Sequence, residues 1–245
     1  MIEPIIPDWP APEHVRAYST TRQGGVSQGA WSSLNLATHV EDDPINVAEN
    51  RRRLSEVLAI PNEPYWLEQV HGTEVVRPEL KTTHCADAAF TQQLNTPCVV
   101  MTADCLPVLF CDEQGTAVAA AHAGWRGLAA GVLEQTLKCF DEPSKVMAWM
   151  GPAIGPEHFE VGDEVREMFV QQHAAAENAF VISRSGHWMA DIFLLARQRL
   201  SSAGVSHIFG GGICTYADAD HFYSFRRESV TGRMASLIWL SDDNK

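Results

Sequence analysis

The stretch MTADCLPVLFCDEQGTAVAAAHAGWRG, residues 101–127, decides how the rest of this 245-residue chain is read. Two β-rich runs, 105–111 and 116–123, flank the turn-like EQG at 113–115, where Gly115 suits a position of positive φ. Cys105 lies in the first run and His122 in the second. Because successive strand residues point to opposite faces, the length of the turn decides whether the two side chains meet. An even loop, Gln114–Gly115 or Glu113 to Thr116, sets Cys105 diagonal to His122 on one face, about 7–8 Å apart at Cα. A three-residue loop without a bulge sends them to opposite faces. The sequence accommodates both counts.

Outward from this hairpin, strands and helices are mixed. RAYSTTR (16–22) reads as a strand, and a helix is expected over 45–58, with Pro44 ahead of it as a start signal. EPYWLEQVHGTEVVRP (63–78) predicts two short strands broken at His71-Gly72. Val132, Leu133, Leu137 and Phe140 recur at near-helical spacing and predict one helix over 128–140. Further helices are expected in GDEVREMFVQQHA (162–174) and IFLLARQRLSSAG (192–204), with a strand or hairpin in AFVISRSGHWMAD (179–191). VSHIFGGGICT and GRMASLIWL close the chain as strands. Without strict βαβ alternation, the expectation is one α+β domain over 1–245, a mixed β-sheet sandwich flanked by helices.

Composition narrows the function classes. Hydrophobic residues make up 45% of the chain, which is ordinary for a globular protein. The net charge of −13 repels a phosphate backbone, so no nucleic-acid partner is expected, while local arginine clusters still permit a small anionic metabolite. No run of 18 apolar residues occurs, so no membrane span is expected. The N-terminus lacks a basic region followed by an apolar stretch, and the six cysteines form no CxxC pair. The expected setting is therefore the cytoplasm, with Cys98, Cys111, Cys139 and Cys214 as reduced, mostly buried thiols.

Cys105 stands apart, because TADCLP puts an acid before it and a proline soon after, an unusual context for a buried strand. His122 sits where a strand meets a glycine-rich turn, and His71 is followed by glycine at a strand break. On residues alone, Cys105 and His122 read as nucleophile and base, as two ligands of a metal, or as core, which is the commoner role of a cysteine in an apolar run. WLEQVHG, MTADCLPVLF, AAAHAGWRGLAAGVL, GPAIGPEHFEVGDEV and FYSFRRESVTGRMASLIW, with STTRQGGVS and SLNLATHVEDDP, resemble the motifs of the laccase-domain or polyphenol-oxidase family, the YfiH-like proteins, nearly end to end. That resemblance implies an α/β sandwich similar to the fold of a cysteine-histidine toxin deamidase. It implies a metal site on His71, Cys105 and His122, which would also be the catalytic residues. It further implies an enzyme with purine nucleoside phosphorylase and adenosine deaminase activities on adenosine, inosine or methylthioadenosine, copper-linked oxidation of phenols, and a role attached to peptidoglycan editing.

Three N/S ligands with a fourth position left to water is the pattern of catalytic zinc, which lowers the pKa of bound water to about 7. The chain lacks the H-x-E…P-C-x-x-C signature of nucleobase deaminases, so deamination would be built differently here. Zn²⁺ is the expected cofactor, and Cu²⁺ fits the same ligands because copper outcompetes zinc at most N/S sites. The ten histidines include no HxH pair, which argues against a multicopper laccase centre. A copper-dependent polyphenol oxidase and a metal-free Cys-His hydrolase or amidase stand as alternatives, as does a non-catalytic binding module. For phosphate, arginine forks are the suited groups, and the candidates are Arg22, Arg126, Arg226 and Arg233, with Arg227 beside them. Asp104 is the nearest candidate acid, Glu160 is a supporting acid, and Trp125 could wall a purine pocket. His39 could face the pocket, but in a loop beside acids it reads first as a surface or capping residue, and Arg51, Arg52 and Arg53 read as a solvated helix face.

Overall fold

The 101–127 stretch folds as an antiparallel hairpin in which Cys111 opposes Val118 and Pro107 opposes His122. Asp112 N–H still donates to the Ala117 carbonyl, so the turn proper is Glu113 to Thr116, an even count. Continuing that register sets Cys105 against Gly124 and diagonal to His122 on the same face. The turn is fastened by the Asp112 carboxylate, which accepts from the N–H groups of Thr116 and Ala117.

The computed structural model describes residues 1–242. In chain order the elements are β1 (Val15–Ser19), α1 (Pro44–Val57), β2 (Val75–Val76), β3 (Ala88–Thr91), β4 (Cys98–Thr102), β5 (Leu106–Asp112) and β6 (Val118–Ala123). They continue as α2 (Trp125–Ala130), α3 (Val132–Leu137), β7 (Val146–Met150), β8 (Glu160–Gly162), α4 (Asp163–Val170), β9 (Phe180–Arg184) and β10 (His187–Ala190). The last three are α5 (Ile192–Ser202), β11 (His207–Gly210) and β12 (Met234–Leu240). A six-stranded mixed sheet runs β11-β7-β5-β6-β3-β2, with parallel pairs only at its two edges. One three-stranded sheet, β1-β12-β4, stacks on it, and another, β8-β10-β9, stands apart.

The alternation of β6 shows how the layers are assigned. Ala119, Ala121 and Ala123 face a core shared with α3, α4 and α5, while Val118 and Ala120 face the three-stranded sheet with Leu109, Cys111 and Ile238. The outer face of β1-β12-β4 is covered by Leu54 and Leu58 at the end of α1, with Leu34 and Leu36. The result is an α+β domain of mixed sheets flanked by helices. His122 shares the parity of Val118 and Ala120, so it points between the two stacked sheets at their open end.

Local chemistry explains where elements begin and end. Helix α1 starts at Pro44 because the Asp43 carboxylate caps the Ile45 N–H at 2.8 Å. The single helix expected over 128–140 is two, divided at Gly131, whose φ of +99° is left-handed and cannot continue a right-handed helix. The helix expected over 162–174 closes after Val170, and a 3₁₀ segment, Ala174–Ala179, follows it. Of the two strands expected over 63–78, only Val75–Val76 forms, with an isolated bridge from Glu68 to Cys85. The intervening N–H groups of Val70, His71 and Gly72 are taken by the Asp87 carboxylate, at 3.2, 2.9 and 2.6 Å, instead of a neighbouring strand. Among the described residues no helix is long and apolar enough to cross a membrane.

Candidate metal centre

His71, Cys105 and His122 come from three separate segments, and their donor atoms all lie within 4.8 Å of one another. His71 sits on the loop held by Asp87, with a left-handed φ of +61°, and this exposed residue lines the mouth of a cavity. Cys105 occupies the bend between β4 and β5, after Asp104 at φ +83°. His122 is the penultimate residue of β6 and 3% exposed. Cys105 Sγ is 3.7 Å from His71 Nε2, and the two imidazoles stand edge to face, with centroids 4.8 Å apart. Tetrahedral zinc bonds of about 2.0–2.3 Å place neighbouring ligand atoms about 3.5 Å apart, so this soft donor set fits such an ion.

Asp87, fully buried, organises both histidines. Besides the three loop N–H groups, it accepts from His122 Nδ1 at 2.8 Å, and its own carbonyl accepts the His122 N–H at 2.7 Å. With Nδ1 donating to the carboxylate, His122 presents Nε2 to the centre, the carboxylate–histidine arrangement that orients metal ligands. Nothing in the sequence reading singled out Asp87; a carboxylate inside the apolar run CADAAF was the available signal, since a buried charge needs a partner.

Burial pushes the thiols of Cys98 and Cys111 up, the latter to about 12. Burial acts the same way on Cys105, but the imidazoles of His122 and His71 outweigh it and bring the thiol down to about 6. For His122, burial disfavours the charged form, yet the Cys105 thiolate and Asp87 outweigh that and raise it to about 9. Between about pH 6 and 9 the pair is thus a thiolate beside an imidazolium, and a cation bound there would replace the proton.

The three donors line a cavity of ≈ 440 Å³ whose other walls include Trp125, Ile154, Phe159, Ile192 and Phe225. Gly124 leaves room for the centre: a Cβ there would lie 2.6 Å from His71 Cδ2 and 3.1 Å from Cys105 Sγ. Gly127, one turn on, lets α2 approach the Gly72 carbonyl, which a Cβ would meet at 2.9 Å.

Arg126, Arg226 and Arg233 line this cavity, and Arg22 does not. Arg22 donates to the carbonyls of Ser32 and Ala219 and stacks over Tyr223, so it braces the N-terminal loops. Arg227 likewise ties the carbonyls of Thr215, Tyr216 and Phe222. Arg226 spends NH1 on the Glu160 carbonyl, and Arg233 spends NH1 on those of Thr231 and Gly232. Among the described residues their other side-chain N–H groups hold no hydrogen bond, and Arg126 holds none at all. Asp104 lines the cavity as well, but its carboxylate accepts from Thr215 Oγ1, Ser224 Oγ and the Arg226 N–H, which occupies it structurally. Glu160 is engaged with Ser183 and Arg184, and its carboxylate supports no residue of the centre. Arg51 turns away from the solvated face to donate to the Leu36 carbonyl and stack 3.9 Å over Trp66. His39 faces the cavity instead of capping a turn.

Residues 16–241 match the family model described as multi-copper polyphenol oxidoreductase laccase. The chain is similar to a Pseudomonas aeruginosa protein named purine nucleoside phosphorylase, 57% identical over 240 residues and covering 97% of this chain and 98% of that one. It is also similar to the Escherichia coli purine nucleoside phosphorylase YfiH, 55% identical over 239 residues, with 96% and 98% covered. Among solved structures, a Neisseria meningitidis protein superposes with a TM-score of 0.94 at 49% identity, covering 97% of this chain and 99% of that one.

Proposed function

Because the chain belongs to the multi-copper polyphenol oxidoreductase laccase family, and relatives above half identity are named purine nucleoside phosphorylase, we propose that it is a zinc-dependent purine nucleoside enzyme. It cleaves adenosine-like nucleosides with phosphate and deaminates adenosine. The observation that carries this reading is the convergence of His71, Cys105 and His122 at one wall of an apolar cavity that also receives three arginines. Among the described residues this is the one His/Cys/Asp/Glu group suited to a metal, which speaks for a single ion over a multicopper centre.

A zinc ion held by these residues would supply Lewis-acid activation of a water molecule for deamination. The residues themselves do the rest. Asp87 fixes the His122 tautomer and the His71 loop, so neither ring has to reorganise when substrate arrives. Trp125, Phe159 and Phe225 offer flat apolar surfaces for a purine. The free N–H groups of Arg126, Arg226 and Arg233 suit a phosphate oxyanion beside the ribose.

A second reading rests on a specific contact: Cys105, His122 and Asp87 also have the order of a nucleophile, base and orienting acid. One experiment separates the two. Protein purified without added metal is assayed for zinc and for turnover of adenosine with phosphate, alongside Cys105→Ala. Near-stoichiometric zinc that is lost in the variant, together with formation of adenine or inosine, is the expected result. Metal-free protein that turns over and loses turnover in Cys105→Ala would instead establish the cysteine nucleophile.

A further inference from the structure

Proton transfer in the cavity needs a side chain that is present there, changes protonation near neutral pH and is not already committed. His71, Cys105 and His122 form the donor set, and the Asp104 carboxylate is occupied by Thr215, Ser224 and Arg226. The arginines do not deprotonate. That leaves His39, which lines the same cavity and, among the described residues, has no hydrogen bond, ion pair or ring contact.

The loop beneath His39 is built to hold it. Buried Asp42 accepts from Ser27 Oγ at 2.6 Å and from Asn35 Nδ2 at 2.9 Å, and the Trp31 indole donates to the Val40 carbonyl at 2.8 Å. Asn35 also bonds both the N–H and the carbonyl of Ala37, and it accepts the Arg233 N–H at 3.0 Å. A buried polar network of this kind is costly unless satisfied, and here it fixes a short loop whose exposed end carries an unpartnered imidazole into the cavity.

We propose that His39 is the catalytic proton-transfer residue of the phosphorolysis, an inference that rests on the nucleoside reading above. In that reaction an oxygen of hydrogen phosphate bonds to C1′ of the ribose as the C1′–N9 bond breaks, and the bonding pair passes to the purine. The phosphate proton must end on a purine nitrogen. His39 accepts it from phosphate and passes it to the departing purine, so that it is neutral before and after. Partial burial and the charges of Arg233 and Arg51 hold its pKa below the usual histidine value, against the opposing pull of Glu68. The neutral form that the relay needs is therefore favoured at pH 7.

The test uses zinc-loaded full-length protein with adenosine and inorganic phosphate, comparing His39→Asn and His39→Ala with wild type. The expected kcat loss is about 10²–10⁴-fold in both variants, with zinc content and Tm unchanged. Free imidazole should restore activity to His39→Ala, and the acidic limb of the pH–rate profile, below pH 6.5, should vanish. A kcat within about threefold of wild type in both variants overturns the role of His39 and leaves the nucleoside reading standing. Loss of zinc or of folding in both variants also overturns it, since the role would then be structural. A wild type without turnover on any purine nucleoside overturns the parent reading and this inference with it.

Discussion

Asp87 carries two duties at once, and replacing it separates them. Asp87→Asn keeps the shape but gives up a charge that holds three N–H groups and the His122 ring. Removing a carboxylate that orients a ligating histidine changes metal affinity by about 10–100-fold, and that is the weakening expected in a zinc-chelator competition. Breaking a buried ion pair from one side also costs about 3–5 kcal/mol, which urea unfolding of the metal-free protein would read. Burial would raise the Asp87 carboxyl, but its bonds to His122 and the loop hold it below the ordinary value. Its stabilising share is therefore present above about pH 4 and lost only as pH falls through that lowered value. The Cys105–His122 pair makes a second residue-scale prediction. Between about 6 and 9 the pair retains one proton, which metal must displace. Zinc affinity should accordingly rise by about tenfold per pH unit from this pair alone, level off above pH 9 and steepen below pH 6. A flat response between pH 6.5 and 8.5 would show that the imidazole is already neutral. The three donors were visible in the sequence as residues of the right type. Asp87 was not, and His39 was visible only as a loop residue that could face a pocket, because their meaning depends on what the chain folds around them.

At the scale of elements, the hairpin was legible except for the one number that mattered, the parity of its turn. Glu113 to Thr116 makes that number even, and the reason lies in the Asp112 carboxylate bonding Thr116 and Ala117, a contact the sequence does not announce. The start of α1 was readable because Pro44 acts locally. The break at Gly131 was not, because apolar spacing runs straight through it and only the left-handed φ divides the helix. The loop of His71 escaped for the same kind of reason: a side chain 16 positions away, rather than a strand, takes its N–H groups. Gly124 turns this element-level geometry into a prediction. It faces Cys105 across the ladder and caps α2, with a φ of −59° that any residue adopts. Gly124→Ala should therefore fold, with a stability change of less than about 1 kcal/mol from backbone effects. Its Cβ would overlap the His71 ring, so zinc content should fall sharply while the circular dichroism stays native. Full zinc occupancy in this variant would mean that His71 is not a ligand.

Across the whole molecule, an ion on the proposed donor set would work as a three-way tie. It would join the loop before β2, the bend between β4 and β5, and the end of β6. Close by, Asp104 fastens Thr215, Ser224 and Arg226, so the long segment before β12 closes over the same end of the stacked sheets. Two of the three donor segments, the His71 loop and the Cys105 bend, are irregular and held by side-chain bonds, while His122 is fixed in the β6 ladder. A ligand that bridges them therefore binds the native arrangement and has no equivalent site in the unfolded chain. At a free zinc concentration of about 100 times Kd, that preference is worth about 2.7 kcal/mol. In a domain of this length one kcal/mol moves Tm by about 2–4 °C, so zinc should raise the melting temperature of the apo protein by about 5–10 °C. Cys105→Ala should melt at nearly the same temperature with and without zinc, because two imidazoles from separate segments remain a much weaker tie. The measurement is a pair of calorimetric scans per protein at one fixed free-zinc level. An equal shift in wild type and variant would place the stabilising ion somewhere other than His71, Cys105 and His122.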